Sequence, residues 1–113
     1  MELSRATYGD ILALTIEEER LDAAAALAFK EEMRDATASH RGRVLIDMGR
    51  VNFLDSSGLG ALVAGMKMLD GGRRLELARC GPVVDKVLRL TRMDTVFILH
   101  AERPWMADGQ DAA

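Results

Sequence analysis

Apolar and polar positions alternate along the chain in blocks that read as strand, helix, strand. Ile11 to Ile16 reads as a strand, preceded by a shorter one near Glu2 to Thr7. Asp22 then caps a helix running to about Ser39, with Ala24, Leu27, Ala28 and Met33 toward the core and Glu31, Glu32, Arg34 and Asp35 outward. His40-Arg41-Gly42 closes that helix, and Arg43 to Asp47 returns as a central strand. Its unbroken Val44-Leu45-Ile46 suits a strand covered on both faces. A second helix starts near Asp55 and ends at Gly71-Gly72, and Arg74 to Ala78 is a strand. Gly81-Pro82 starts a third helix with proline at its favoured first position, burying Val83, Val84, Val87 and Leu88. Val96 to Leu99 is the last strand. This order predicts an α/β fold, a single domain over residues 1–103 with a mixed sheet of four to five strands packed against helices. Residues 104–113 read as a flexible C-terminal tail from which Trp105 can fold back on the core.

The second helix breaks the usual amphipathic pattern. Either Asp55 or Ser56 can be its N-cap, and the remaining hydroxyls then lie in the first turn. Leu59, Leu62, Val63, Met66 and Leu69 recur at core-facing spacing. Ser57, Ala61, Ala64, Gly65 and Met68 form a second stripe nearly opposite, and Lys67 is the only charge between Asp55 and Asp70. Such a stripe predicts an outward surface that another protein can approach closely. Gly58 and Gly60 leave Ser57 unscreened, although glycine costs a helix up to about 1 kcal/mol relative to alanine. Unmodified, Ser57 is a small neutral group that a partner can cover. A phosphate there adds about 1.5 to 2 negative charges, favoured by the helix N-terminus but costly to bury in an apolar interface. The pattern therefore points to a phosphorylation switch. Hydroxyl chemistry alone does not separate Ser56 from Ser57.

Composition narrows the alternatives. The chain has 113 residues, 49% of them hydrophobic but only one Trp, one Tyr and three Phe, so the core is aliphatic. A net charge of −3 gives no general attraction to nucleic acid or anionic lipid. Cys80 is alone, no signal peptide is evident, and no apolar run reaches the roughly 20 residues of a membrane helix, which predicts a cytoplasmic protein without membrane insertion. Catalysis is not expected. The Gly-x-Ser-x-Gly elbow is absent, and His40 and His100 sit at element edges. Gly60 to Gly65 has the gap of a phosphate-binding loop, but Met66 precedes Lys67 and no hydroxyl follows it. Two histidines and one cysteine offer no metal cluster, and no cofactor is expected.

Taken alone, Asp55-Ser56-Ser57-Gly58 is an ordinary helix cap. Together with its surroundings it resembles the signature of the STAS family, the domain of sulphate transporters and anti-sigma factor antagonists. Asp55-Ser56-Ser57-Gly58-Leu59-Gly60 follows a strand ending in Asp47. Arg20-Leu21-Asp22 resembles the family's leucine-aspartate turn, and Val87 to Phe97 its closing helix and strand. The likeness runs from about Ile11 to Leu99 and implies a free-standing bacterial antagonist. By that resemblance Ser57 is the phosphoacceptor, with Asp22, Asp55, Ser56, Gly58, Gly60, Ala61, Ala64 and Met68 as its surroundings and partner surface. The implied kinase is the anti-sigma factor itself, with a histidine-kinase-like ATPase fold, and a metal-dependent serine phosphatase reverses the step. Asp22 reads as an N-cap or a partner contact, and Asp47 as a loop-bonding residue or one that shapes the phosphorylation site. Glu19 and Arg92 stand where many relatives carry glycine. The family also offers a second role, a structural subunit of a transporter ATPase complex or sensory scaffold not controlled by Ser57.

Overall fold

The computed structural model describes residues 1–106, and the sequence reading of a flexible tail lies outside them from residue 107 onward. The sheet begins as a hairpin, β1 (Leu3–Tyr8) antiparallel to β2 (Ile11–Ile16), with Gly9 at φ 63 in the turn. That left-handed backbone is where glycine is unstrained. After a two-residue β3 (Arg20–Leu21) come α1 (Ala23–Thr37), β4 (Arg43–Asp47), a two-residue β5 (Phe53–Leu54) and α2 (Ser56–Lys67). The chain closes with β6 (Glu76–Ala78), α3 (Pro82–Leu90), a 3-10 turn at Met93–Thr95 and β7 (Ile98–His100). Five strands form one mixed sheet in the order β1-β2-β4-β6-β7, all parallel after the first pair. The expected α/β architecture and central place of β4 therefore hold. β3 and β5, too short to show a hydrophobic period, pair separately as a parallel ribbon.

Alternation along the strands divides the core. Leu12, Leu14, Ile16, Val44, Ile46 and Leu77 meet Phe29, Met33, Leu62, Val84 and Leu88 in the main cluster. On the opposite face Ile11, Leu45 and Ala78 form a small cluster covered by Trp105. Trp105 belongs to a helical turn at residues 104–106 and stacks on Tyr8, centroids 4.2 Å apart and planes 6° from parallel. The same face carries Glu76, only 3% exposed, held by Arg43 Nε and Nη2 at 2.8 and 2.7 Å and by His100 Nε2 at 2.7 Å. Burial works against its charge, but these donors outweigh it and hold the carboxyl below its usual range.

Helix α1 is rotated from its expected phase, whereas α3 keeps its expected face except at Val83. On α1 the buried positions are Phe29, Met33 and Thr37, while Leu27 is 66% exposed and Ala24 is also exposed. The alanine run could not fix the phase, and Phe29 did, because its ring gains most from burial. On α3 Val84 and Leu88 are buried, whereas Val83 is 51% exposed. Of the two positions lacking the common glycine, Arg92 adopts φ 63, a left-handed conformation in which glycine would be unstrained.

Candidate functional site

The ribbon of β3 and β5 is the platform of the site. Arg20 pairs with Phe53 and Leu21 with Leu54, so the next residues, Asp22 and Asp55, emerge side by side at the starts of α1 and α2. Leu21 and Leu54 are buried; Arg20 and Phe53 face outward, the guanidinium 3.8 Å from the ring centroid. The carbonyl of Glu19 secures the ribbon from the other side, accepting from the amides of Asn52 and Phe53 at 2.8 and 3.2 Å.

Each aspartate caps its own helix. Asp22 Oδ1 accepts from the Ala25 amide at 3.2 Å, and Oδ2 from Arg20 Nε at the same distance. The Arg20 bond, above all, holds the Asp22 carboxyl below its ordinary range. Asp55, rather than Ser56, is the N-cap of α2: its Oδ1 accepts from the Gly58 amide at 2.8 Å. Its Oδ2 reaches across to the Ala23 amide at 3.2 Å. One carboxylate thus joins both helix starts and fixes the turn that carries the serines.

Ser56 and Ser57 are both exposed in the first turn of α2. The two neighbouring glycines have different reasons. A side chain at Gly58 would strike the Leu21 carbonyl oxygen, so that glycine lets α2 sit against the ribbon; one at Gly60 would meet nothing within 4 Å. Gly58 is therefore a packing residue, while Gly60 contributes to the open surface beside the serines.

The expected outward stripe needs correction. Ala61 is 2% exposed and Gly65 is buried, because α1 lies there: a Cβ on Gly65 would come within 3.2 Å of Met33 Cγ. Small residues at these positions serve the helix-helix seam. Ala64 and Met68 are half-buried, and Met68 shares a cavity with Arg34 and Thr37 of α1. Leu59, Val63 and Met66, assigned to the core side, are half-buried against it. The open face is Ser56, Ser57, Gly60 and Lys67, flanked by Val63 and Ala64.

Asp47 takes the loop-bonding role. It accepts from the Gly49 amide at 2.9 Å and from Arg79 Nε and Nη2, each at 3.0 Å. Sequence reasoning passed over Arg79, whose φ of 58 is not legible from its residue type. It also passed over Arg20, for which the adjoining leucine-aspartate pair was the available signal. Burial pushes the Cys80 thiol up to about 11, which disfavours a thiolate role. Among the described residues, no three of His, Cys, Asp and Glu gather as a metal would require, and no helix is long and apolar enough to cross a membrane.

Comparisons with known proteins agree on the fold. The family model described as STAS domain matches residues 2–107. An anti-sigma-factor antagonist (STAS) domain protein from Planctomyces limnophilus is 20% identical, with 92% of each chain covered and a TM-score of 0.81. An anti-sigma factor antagonist from Mycobacterium paratuberculosis is 20% identical over 96% of this chain and 92% of its own, with a TM-score of 0.81. The Bacillus cell fate determinant SpoIIAA in its phosphorylated form is 18% identical, covering 95% and 97%, with a TM-score of 0.66.

Proposed function

Because the chain belongs to the STAS domain family, we propose that it is an anti-sigma factor antagonist whose partner binding is switched by phosphorylation of Ser57. Unphosphorylated, it binds an anti-sigma factor that is also its serine kinase, of histidine-kinase-like ATPase fold, and so frees a sigma factor for transcription. Phosphorylated, it releases that partner, and a metal-dependent serine phosphatase resets it. The protein works in the cytoplasm.

One observation carries this reading: Ser57 is exposed in a turn that Asp55 and Gly58 hold rigidly against the ribbon. From Ser56 to Met66 no charged side chain interrupts the surface. Phosphorylation therefore changes that surface from neutral to strongly anionic without needing to unfold anything. The solved phosphorylated form of SpoIIAA supports modification within this fold.

The chain itself is proposed to catalyse nothing. His40 Nε2 lies 3.0 and 2.9 Å from the carbonyl oxygens of Asp10 and Arg43, at the far end of α1, roughly 20 Å of helix from Asp22. His100 is engaged with Glu76. Neither arrangement supports a base beside Ser57. Incubation with the cognate anti-sigma factor and ATP, followed by peptide mapping, tests the proposal. Phosphate on Ser57, absent from Ser57→Ala, is expected; phosphate elsewhere would refute the assignment.

A further inference from the structure

Arg20 is held on the ribbon that leads into the serine-bearing turn by contacts that leave most of its hydrogen-bonding capacity unused. Its guanidinium lies over the Phe53 ring at 3.8 Å and its Nε donates to Asp22 Oδ2 at 3.2 Å, yet its side chain remains 59% exposed. Among the described residues its Nη groups make no hydrogen bond. Because alternation sends Leu21 and Leu54 inward, Arg20, Asp22, Phe53 and Asp55 share the outer face of the ribbon. Paired strands lie about 4.8 Å apart, and Ser57 is two residues beyond Asp55, about 3 Å further along the helix axis. Arg20 lies opposite Phe53, four residues before Ser57, and its Nε reaches forward to Asp22, which emerges beside the Asp55 cap of the serine's helix.

The two carboxylates on this face are not equally open to it. Asp55 spends both oxygens on the amides of Gly58 and Ala23, whereas Asp22 uses one oxygen for Ala25 and the other for Arg20. A phosphate on Ser57 would add a dianionic, three-oxygen acceptor beside a guanidinium whose fork is only partly engaged. Stacking on Phe53 already restricts the arginine, so little further side-chain freedom is lost in turning toward it.

We propose that Arg20 is the internal counter-ion of phosphoserine 57, exchanging its bond to Asp22 for one to the phosphate. The inference rests on Ser57 being the modified residue. It makes the switch a two-part change, since phosphorylation both adds charge at Ser57 and strips Asp22 of its cation. A partner fitted to the neutral serine and the closed Arg20–Asp22 pair would lose both features together.

The test uses the full chain with phosphoserine genetically encoded at position 57, so that no kinase is required. Phosphorus NMR then follows the second ionisation of the phosphate with Arg20, Arg20→Gln and Arg20→Lys, with circular dichroism as a check on the fold. With Arg20 the ionisation is expected about half a pH unit lower than in Arg20→Gln, a difference that shrinks with added salt. Arg20→Lys should restore part of it, because lysine supplies the charge without the planar fork. Coincident titrations in Arg20 and Arg20→Gln, both folded, would overturn the proposal. Absence of phosphate from Ser57 in cells would refute the switch reading separately, leaving this measurement to judge the arginine alone.

Discussion

The amide of Ala23 donates to the carboxylate of Asp55 across 3.2 Å, tying the first residue of α1 to the cap of α2. The same carboxylate accepts from Gly58 at 2.8 Å, so a single side chain sets where the serine-bearing turn lies relative to the neighbouring helix.

Asp55→Ala removes both bonds and is expected to cost about 1–2 kcal/mol, read as a lower urea midpoint at unchanged slope. Asp55→Asn can still accept from Gly58 with its carbonyl oxygen but offers an amide group in place of the second acceptor. It should fall between the two. Equal stability of all three would mean that the Asp55 bridge does not hold the two helix starts together in solution.

The two glycines flanking Leu59 should respond in opposite directions. Gly58→Ala drives a methyl into the Leu21 carbonyl and should destabilise the fold by about 2 kcal/mol. Gly60→Ala enters open space inside a helix and should stabilise by about 0.5–1 kcal/mol. Thermal melts of both variants check the pair. A more stable but partner-deaf Gly60→Ala would indicate that glycine is kept there for docking.

That contrast shows how much of the site was legible. Strand β4 could be read from its three consecutive apolar residues, the starts of α1 and α3 from Asp22 and Gly81-Pro82, and that of α2 to within Asp55 or Ser56, because capping and proline placement are local chemistry. Ser57 at an exposed helix start followed from the same logic. Ala61 and Gly65 were misread as a partner surface because small residues look alike whether the close neighbour is another protein or α1. The two-residue β3 and β5 carry no period, so the ribbon that aligns Asp22 with Asp55 could not be seen. The pairing of Asp47 with Arg79 depends on a left-handed arginine that no pattern announces.

Acid should weaken the sheet's second face through Glu76. Burial raises its pKa, but Arg43 and His100 more than compensate, leaving the folded value below the ordinary 4.5. A carboxyl depressed by folding contributes stability above its unfolded value and loses it as pH falls through the folded one. Urea midpoints from roughly pH 6 to 3 should therefore decline, and the Glu76→Gln variant should decline less steeply. Parallel curves would argue against the charged network as their cause.

Trp105 is the only tryptophan, so its fluorescence reports the C-terminal turn directly. Tyr8→Ala removes its stacking partner and should red-shift the emission while the domain stays folded. Trp105→Ala uncovers Ile11, Leu45 and Ala78 and should lower stability by about 1–2 kcal/mol. Unchanged emission in Tyr8→Ala would mean that the ring is not held there in solution.

Affinity capture from the native cell with wild-type, Ser57→Ala and Ser57→Asp baits, combined with phosphate mapping on the wild type, addresses the switch most directly. Recovery of a histidine-kinase-like ATPase by wild type and Ser57→Ala, its loss with Ser57→Asp, and phosphate on Ser57 are expected. Recovery of a transporter ATPase or a multi-subunit scaffold equally by all three baits, with Ser57 unmodified, would contradict the switch and make the protein a structural subunit.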